Sequence, residues 1–374
     1  MATRTSDHPV RSRLEHAREA VAKASVDALL VTPSADLRYL VGYDATPLER
    51  LTCLVVPAAG EPHLVVPRLE LPAAEASPAG DSGLDVVPWD ETDDPYALVA
   101  SLLAPSVGRV ALDDHMWAAK VLAFRDAMPG VAQLPGGEML GALRIRKSRD
   151  EVDALREAGR AIDRVHARMG EWLRAGRTER EVARDIRDAI VAEGHVRADF
   201  AIVGSGRNGA SPHHEVSDRV IERGDPVVVD IGGTNLAGYC SDSTRTYAVG
   251  EPPAEFREYY AVLQRAQAAG CAAVRPGVTA ESVDAAARTV ITEAGYGDHF
   301  IHRTGHGIGL ETHEPPYLVA GNDLPLEVGM AFSVEPGIYL PGRHGARIED
   351  IVVVTDDGGE RLNQVTTDLV VLTE

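Results

Sequence analysis

The stretch Gly305 to Pro316, GHGIGLETHEPP, packs two histidines, two glutamates and three glycines into twelve residues. His306 and His313 are seven positions apart, a spacing that on a helix or regular strand sets them only loosely alongside each other. The glycines at 305, 307 and 309 argue against a helix and for backbone that something else approaches closely. A lone histidine is usually a structural residue. Two in a glycine-rich run, with carboxylates elsewhere in the chain, point to metal or acid–base chemistry.

Those carboxylates lie on four apolar runs. Val227–Ile231 is a predicted strand carrying Asp230, and Tyr239–Val249 the next, carrying Asp242. A hairpin centred on residue 236 would set the two acids across from each other. Phe332–Leu340 and Arg347–Thr355 flank the turn PGRHG, and Glu335 and Glu349 are symmetric about residue 342. Four acids facing inward on buried sheet need compensation, and Arg245 and Arg347 alone cannot supply it. Metal ions are the economical answer: four carboxylates and one His suit two divalent cations. Oxygen-dominated ligation favours Mn²⁺, Co²⁺ or Fe²⁺ over a thiolate-type zinc site.

The elements that position these residues form two domains. With 374 residues, 44% of them hydrophobic and 25% charged, the chain can fill two cores. Up to residue 142, apolar runs at Ala28–Val31, Leu51–Val56, His63–Val66, Leu84–Val87 and Arg109–Leu112 alternate with helical patterns, predicting an α/β domain. Its expected role is scaffold or dimerisation, giving a homodimer. A second domain, 143–374, starts at the basic hinge Arg144, Arg146, Lys147, Arg149, where Ser148 and Glu151 predict a capping box for a long helix, 149–175. Helices follow near 178–193, 254–274 and 279–294.

The second domain repeats its plan. Gly176 and Thr178 match Gly277 and Thr279 at a shift of 101, and GDPVVVDIG (224–232) aligns with GMAFSVEPG (329–337) at 105. Asp230 then pairs with Glu335, Asp242 with Glu349, and His213–His214 falls near His313. A pseudo-twofold α/β domain with its site between the halves is the expectation.

The net charge of −20 argues against nucleic acid and anionic membrane as partners. Three cysteines without CxxC spacing provide neither a disulfide framework nor a zinc ribbon. The N-terminus has no apolar leader segment, and no run of eighteen apolar residues occurs, so a cytoplasmic location is expected.

VVVDIGG, SDSTRT, HRTGHGIGLETHEPP, SVEPGIY and RIED, in this order and spacing, closely resemble the creatinase/prolidase or "pita-bread" metallopeptidases, and within them the Xaa-Pro peptidases prolidase and aminopeptidase P. The resemblance covers the second domain motif by motif; the first matches in size, position and α/β style. It implies a pita-bread catalytic domain behind a smaller α/β domain, and two divalent metal ions, Mn²⁺ foremost with Co²⁺, Fe²⁺ or Zn²⁺ as alternatives. Asp230, Asp242, His306, Glu335 and Glu349 match the five ligands, with Asp242 and Glu349 bridging and Glu335 also the general base. His213 and His302 match substrate-contacting histidines, His313 the one that stabilises the tetrahedral intermediate, and Arg347 a supporting Arg. His214 departs from the family pattern, in which a small residue is commoner, and leaves open which of the pair meets substrate.

The implied reaction is hydrolysis of the peptide bond before proline. The readings left open are a dipeptidase for Xaa-Pro, an aminopeptidase for longer Xaa-Pro peptides, and a non-catalytic scaffold on the same fold. Methionine aminopeptidase is disfavoured by the large first domain and by EPGIY and RIED, and creatinase by the complete ligand set. A dipeptidase would hold the free proline carboxylate with an Arg other than Arg347.

Overall fold

The computed structural model describes residues 8–373; the reading of the first seven residues as free of an apolar leader lies outside that range. Contacts divide the chain into two compact units, Met1–Arg144 and Ile145–Glu374.

In the first unit, strands β1 (Ala28–Val31), β2 (Cys53–Pro57), β3 (His63–Pro67), β4 (Asp85–Trp89), β5 (Arg109–Leu112) and β6 (Ala132–Pro135) form one sheet in the order β4-β3-β2-β1-β5-β6. Side chains alternate between two cores. Leu29, Val31, Leu54 and Val56 pack with Leu14 and Ala17 of the helix Pro9–Lys23 on one face. Leu30, Cys53 and Val55 pack with Val99 and Phe124 on the other. Strands buried on both faces read as unbroken apolar runs, which is why their sequence signal was clear.

The second unit opens with α1 (Arg149–Ala167) and α2 (Glu179–Ala192). Ser148 Oγ accepts from the Glu151 amide, and the Glu151 carboxylate accepts from the Ser148 amide, closing the expected capping box. α1 is shorter than the sequence suggested, because a 3₁₀ turn at Met169–Glu171 breaks the pattern read through to 175. Its buried Leu155, Ile162 and Val165 recur on one stripe, and full burial of each such side chain is worth about 1.5–3 kcal/mol. β7 (His195–Ser205), β8 (Pro226–Asn235) and β9 (Cys240–Val249) follow, then α3 (Ala254–Ala273) and α4 (Ala280–Glu293). The remaining strands are β10 (Gly305–Gly307), β11 (Glu314–Leu318), β12 (Ala331–Val334), β13 (Gly337–Leu340), β14 (His344–Arg347), β15 (Asp350–Thr355), β16 (Gly358–Arg361) and β17 (Val370–Leu372). They form sheets β17-β9-β8-β7 and β11-β10-β12-β15-β16, with β13-β14 as a separate ribbon.

The internal repeat is written in backbone hydrogen bonds. The Gly176 amide donates to Ile221 O and the Gly277 amide to Leu326 O. Glu179 donates to Arg219 O as Ala280 does to Leu324 O, and Gly224 to Val249 O as Gly329 does to Val354 O. Thr178 bridges Val220 as Thr279 bridges Pro325. Each pair keeps the shift of 101 at the helix start and 105 at the strands, so the two halves are the same fold built twice.

Two expectations about register change. β8 and β9 pair Asp230 with Thr244 and Gly232 with Asp242, a hairpin centred on 237 rather than 236. The two aspartates are therefore diagonal neighbours on one face, not directly opposite. The later hairpin does keep its centre at 342, with Val334 opposite Asp350 and Gly337 opposite Arg347, but it is not continuous. Pro336 has no amide to donate, and the ladder breaks at Glu335–Pro336 and Ile348–Glu349 into two sheets. The freed amides go elsewhere: Glu335 donates to Thr304 O at 2.8 Å and Glu349 to Thr244 O at 3.0 Å.

Candidate metal centre

The break in the ladder aims Glu335 and Glu349 at the face of β8–β9 that carries Asp230 and Asp242. Together with His306 of β10 they line a cavity of about 820 Å³ that also borders on Phe200, Ile202, Pro212, His213, Ile301, His302, Arg303, His313 and Arg347. All nine residues expected from the sequence meet in this one cavity. Oxygen and nitrogen atoms of Asp230, Asp242 and Glu349, of His306, Glu335 and Glu349, and of Asp242, His306 and His313 each lie within 4.8 Å of one another. His313 thus reaches ligand range as well, its ring 3.9 Å from that of His306.

Why His306 sits where it does is a matter of glycine. A Cβ at 305 would lie 1.8 Å from Ser333 O, and one at 307 would lie 2.2 Å from Pro315 O. Only a strand bare on both sides of His306 fits between β11 and β12.

Electrostatics ask for a cation. His306 Nδ1–H donates to Gly307 O at 3.2 Å, which leaves Nε2 with a lone pair facing Glu335 Oε1 at 3.2 Å and Asp242 Oδ2 at 3.7 Å. A proton on Nε2 would satisfy one of them: burial works against the Glu335 charge, but the hydrogen bond and charge of His306 hold its pKa low, at about 2. Asp242 gains no such relief. Burial, then the neighbouring charges of Glu349, Asp230 and Glu335, push it well above the carboxylate range. Glu349 is pushed up by burial and by Glu335 and Asp230. Among the described residues, Asp230 Oδ1 and Glu349 Oε1 are buried without a hydrogen-bond partner. An oxygen-rich donor set with two vacant acceptor atoms and one imidazole lone pair fits divalent cations, and a single proton does not serve it.

Around this floor the remaining groups are fixed by one another. Arg347 binds Asp230 through Nη2, donates to Tyr339 Oη at 2.8 Å through Nη1 and to Thr244 Oγ1 at 3.2 Å through Nε. Tyr339 Oη also meets His302 Nε2 at 2.9 Å, and Thr244 Oγ1 donates to Glu349 Oε2 at 2.7 Å. Ser333 Oγ donates to Glu335 Oε1 at 3.0 Å and accepts from the His306 amide at 3.0 Å. Burial lowers the His302 pKa; burial and the His306 charge lower that of His313 to about 4. Tyr339, Thr244 and Ser333 were not singled out from the sequence. Their neighbours in SVEPGIY and SDSTRT were, so proximity to a motif was the only signal available.

The histidine pair separates. His214 Nε2 bonds Glu179 Oε2 at 2.8 Å, and the same buried carboxylate accepts from Ser205, Asn208 and Ser217. His213 is the one that lines the cavity.

Two family models match the chain: "Creatinase/Prolidase N-terminal domain" over residues 13–146 and "Metallopeptidase family M24" over 153–356. The chain is 55% identical to the "Probable dipeptidase PepE" of Mycobacterium tuberculosis over 373 residues, covering 100% of this chain and 99% of that one. It is 38% identical to the "Xaa-Pro dipeptidase" of Lactobacillus delbrueckii subsp. lactis, covering 93% and 95%. The crystal structure of dipeptidase PepE from Mycobacterium ulcerans superposes with a TM-score of 0.93 at 53% identity, over 100% of both chains. By these matches and by its pita-bread fold, the chain belongs to metallopeptidase family M24, whose members depend on a dinuclear metal site.

Proposed function

We propose that the protein is an Xaa-Pro dipeptidase, a hydrolase of the bond before proline in dipeptides, using two divalent ions held by Asp230, Asp242, His306, Glu335 and Glu349, with Mn²⁺ the favoured metal. The observation that carries this is the convergence of four carboxylates and the His306 lone pair on one cavity floor beneath a rim of three further histidines. The names of the relatives, probable dipeptidase and Xaa-Pro dipeptidase, agree with it.

Two bound cations would acidify a water and polarise the scissile carbonyl. The chain's own residues do the rest. Glu335, oriented by Ser333, takes the proton of the attacking water and returns it to the proline nitrogen. Asp242 and Glu349 would hold the cations together with Asp230, His306 and Glu335. His313, neutral at pH 7, donates its N–H to the oxygen on which charge develops. His213 and His302 contact substrate at the rim, and Arg347 locks Asp230 and Tyr339 in place.

A tertiary amide has no N–H, so gripping the backbone at that bond is a poor strategy, and carbonyl polarisation circumvents it. Free, scattered cysteines accord with a cytoplasmic location, and a homodimer is the expected assembly. Among the described residues no helix is long and apolar enough to cross a membrane.

The test is kcat/KM for Ala-Pro beside Ala-Pro-Ala with Mn²⁺, with metal content and sedimentation measured on the same preparation. Preference for the dipeptide supports the proposal. A tenfold preference for the tripeptide, about 1.4 kcal/mol in transition-state binding, moves the enzyme to the aminopeptidase side.

A further inference from the structure

We infer that Arg303 is the specificity residue that holds the free carboxylate of the dipeptide, through a guanidinium stacked on Tyr317. This rests on the reading of the chain as a dipeptidase.

The cavity floor is acidic, and a substrate carboxylate entering it needs a cation at the rim. Two side chains lining the cavity carry permanent positive charge, Arg303 and Arg347. Arg347 is fully engaged with Asp230, Tyr339 and Thr244 and is 2% exposed. Arg303 is half-buried, and among the described residues its guanidinium has neither a hydrogen bond nor an ion pair. The guanidinium carbon lies 4.2 Å from the ring centroid of Tyr317.

That stack orients the group. A guanidinium lying over an aromatic face keeps its N–H donors in its own plane and free for a bidentate partner. Tyr317 is the direct strand partner of His306, so the ring that carries Arg303 stands about one strand spacing from that histidine. The backbone is tied on both sides. Arg288 donates to His302 O at 2.8 Å, the Thr304 amide donates to Leu318 O, and Thr304 Oγ1 donates to Asp284 Oδ1 at 2.7 Å. Arg303 and His313 line the same cavity, so the two groups face the same space. Phe200, Ile202, Pro212 and Ile301 supply an apolar wall of the kind a pyrrolidine ring would cover.

A dipeptide presents its carboxylate on the proline, where a planar fork can take both oxygens. A longer chain or an amidated one offers a neutral amide there. Because Arg303 is part-exposed, water can solvate it in that case, and the discrimination should be moderate.

The experiment compares wild type, Arg303→Gln and Arg303→Lys, all loaded with Mn²⁺ and checked for metal content. Hydrolysis of Ala-Pro and of Ala-Pro-amide gives a free-acid to amide ratio of kcat/KM. Calorimetry of L-proline and L-prolinamide binding gives a second ratio that needs no turnover. The inference expects wild type to favour the free acid in both. In Arg303→Gln both ratios fall by about 10- to 100-fold, chiefly through KM, and Arg303→Lys lies between. Ratios unchanged in Arg303→Gln overturn the assignment, as does a wild type that favours the amide. If wild type cleaves Ala-Leu and not Ala-Pro, the Xaa-Pro reading fails while the Ala-Leu to Ala-Leu-amide ratio still decides on Arg303. A wild type that neither turns over nor binds any of these overturns both.

Discussion

His306 offers Nε2 to two carboxylates because its Nδ1–H is held by Gly307 O. His313, with its ring beside it, has no such partner among the described residues and a pKa lowered to about 4. That asymmetry separates binding from catalysis. His306→Ala should lose metal, whereas His313→Ala should keep it and lower kcat by about 100-fold. Elemental analysis beside steady-state kinetics reads both, and exchanged phenotypes would sink the assignment. Glu349→Ala and Asp242→Ala should drop bound metal below about two equivalents and activity by about 100-fold or more. Their metal-free folds should be no less stable than wild type, since each deletion removes a carboxylate that burial and its neighbours already oppose. A variant that keeps full metal content and turnover refutes the bridging role.

Between elements, polar contacts as specific as those of the site hold the helices to the sheets. His166 of α1 is buried against β9, with Nδ1 2.9 Å from Tyr247 Oη and Nε2 3.2 Å from Ser243 O. Burial, reinforced by the Arg245 charge, lowers its pKa from 6.5 to about 3. The folded pKa is depressed, so the unfolded chain takes up the proton first. The stabilisation is complete above pH 6.5 and is lost as the pH falls toward 3. Between pH 6.5 and 5 wild type should lose about 1.6 kcal/mol more than His166→Gln, the slope rising toward 1.36 kcal/mol per pH unit as the unfolded imidazole becomes fully protonated. Urea titrations of both proteins at the two pH values check this. Equal losses would mean that His166 is protonated in the fold.

Across the whole catalytic unit, the proposed ligands come from both copies of the internal repeat: Asp230 and Asp242 from the first, His306, Glu335 and Glu349 from the second. Ions bound there would bond the two halves together and be absent from the unfolded chain. At a hundredfold excess over Kd, each would add about 2.7 kcal/mol. Chelation of both should then lower the Tm by about 10–20 °C for a domain of this size, reversibly on adding Mn²⁺. Asp242→Ala should show a much smaller chelator shift. A Tm indifferent to chelator would remove the ions from the fold's energetics.

The chemistry was legible in the sequence because it needs particular residue types, and types are what a sequence lists. Asp230, Asp242, His306, Glu335 and Glu349 stand in short motifs on apolar strands, where an acid has few other reasons to be. The repeat was legible for a related reason: the two halves solve the same backbone problem, so Gly176 and Gly277 recur at equivalent turns. Register was not. A hairpin centre moves by one residue with turn geometry, and that shift alone takes Asp230 from facing Asp242 to facing Thr244. Nor could the sequence tell His213 from His214, since adjacent residues differ only in where the backbone points them. A carboxylate thirty-five positions away, Glu179, captures His214 and leaves its neighbour to the cavity. Arg303 was hidden among 37 Lys and Arg residues. What distinguishes it is the absence of an ion-pair partner among the described residues and the presence of Tyr317 beneath it, and both are properties of the folded neighbourhood.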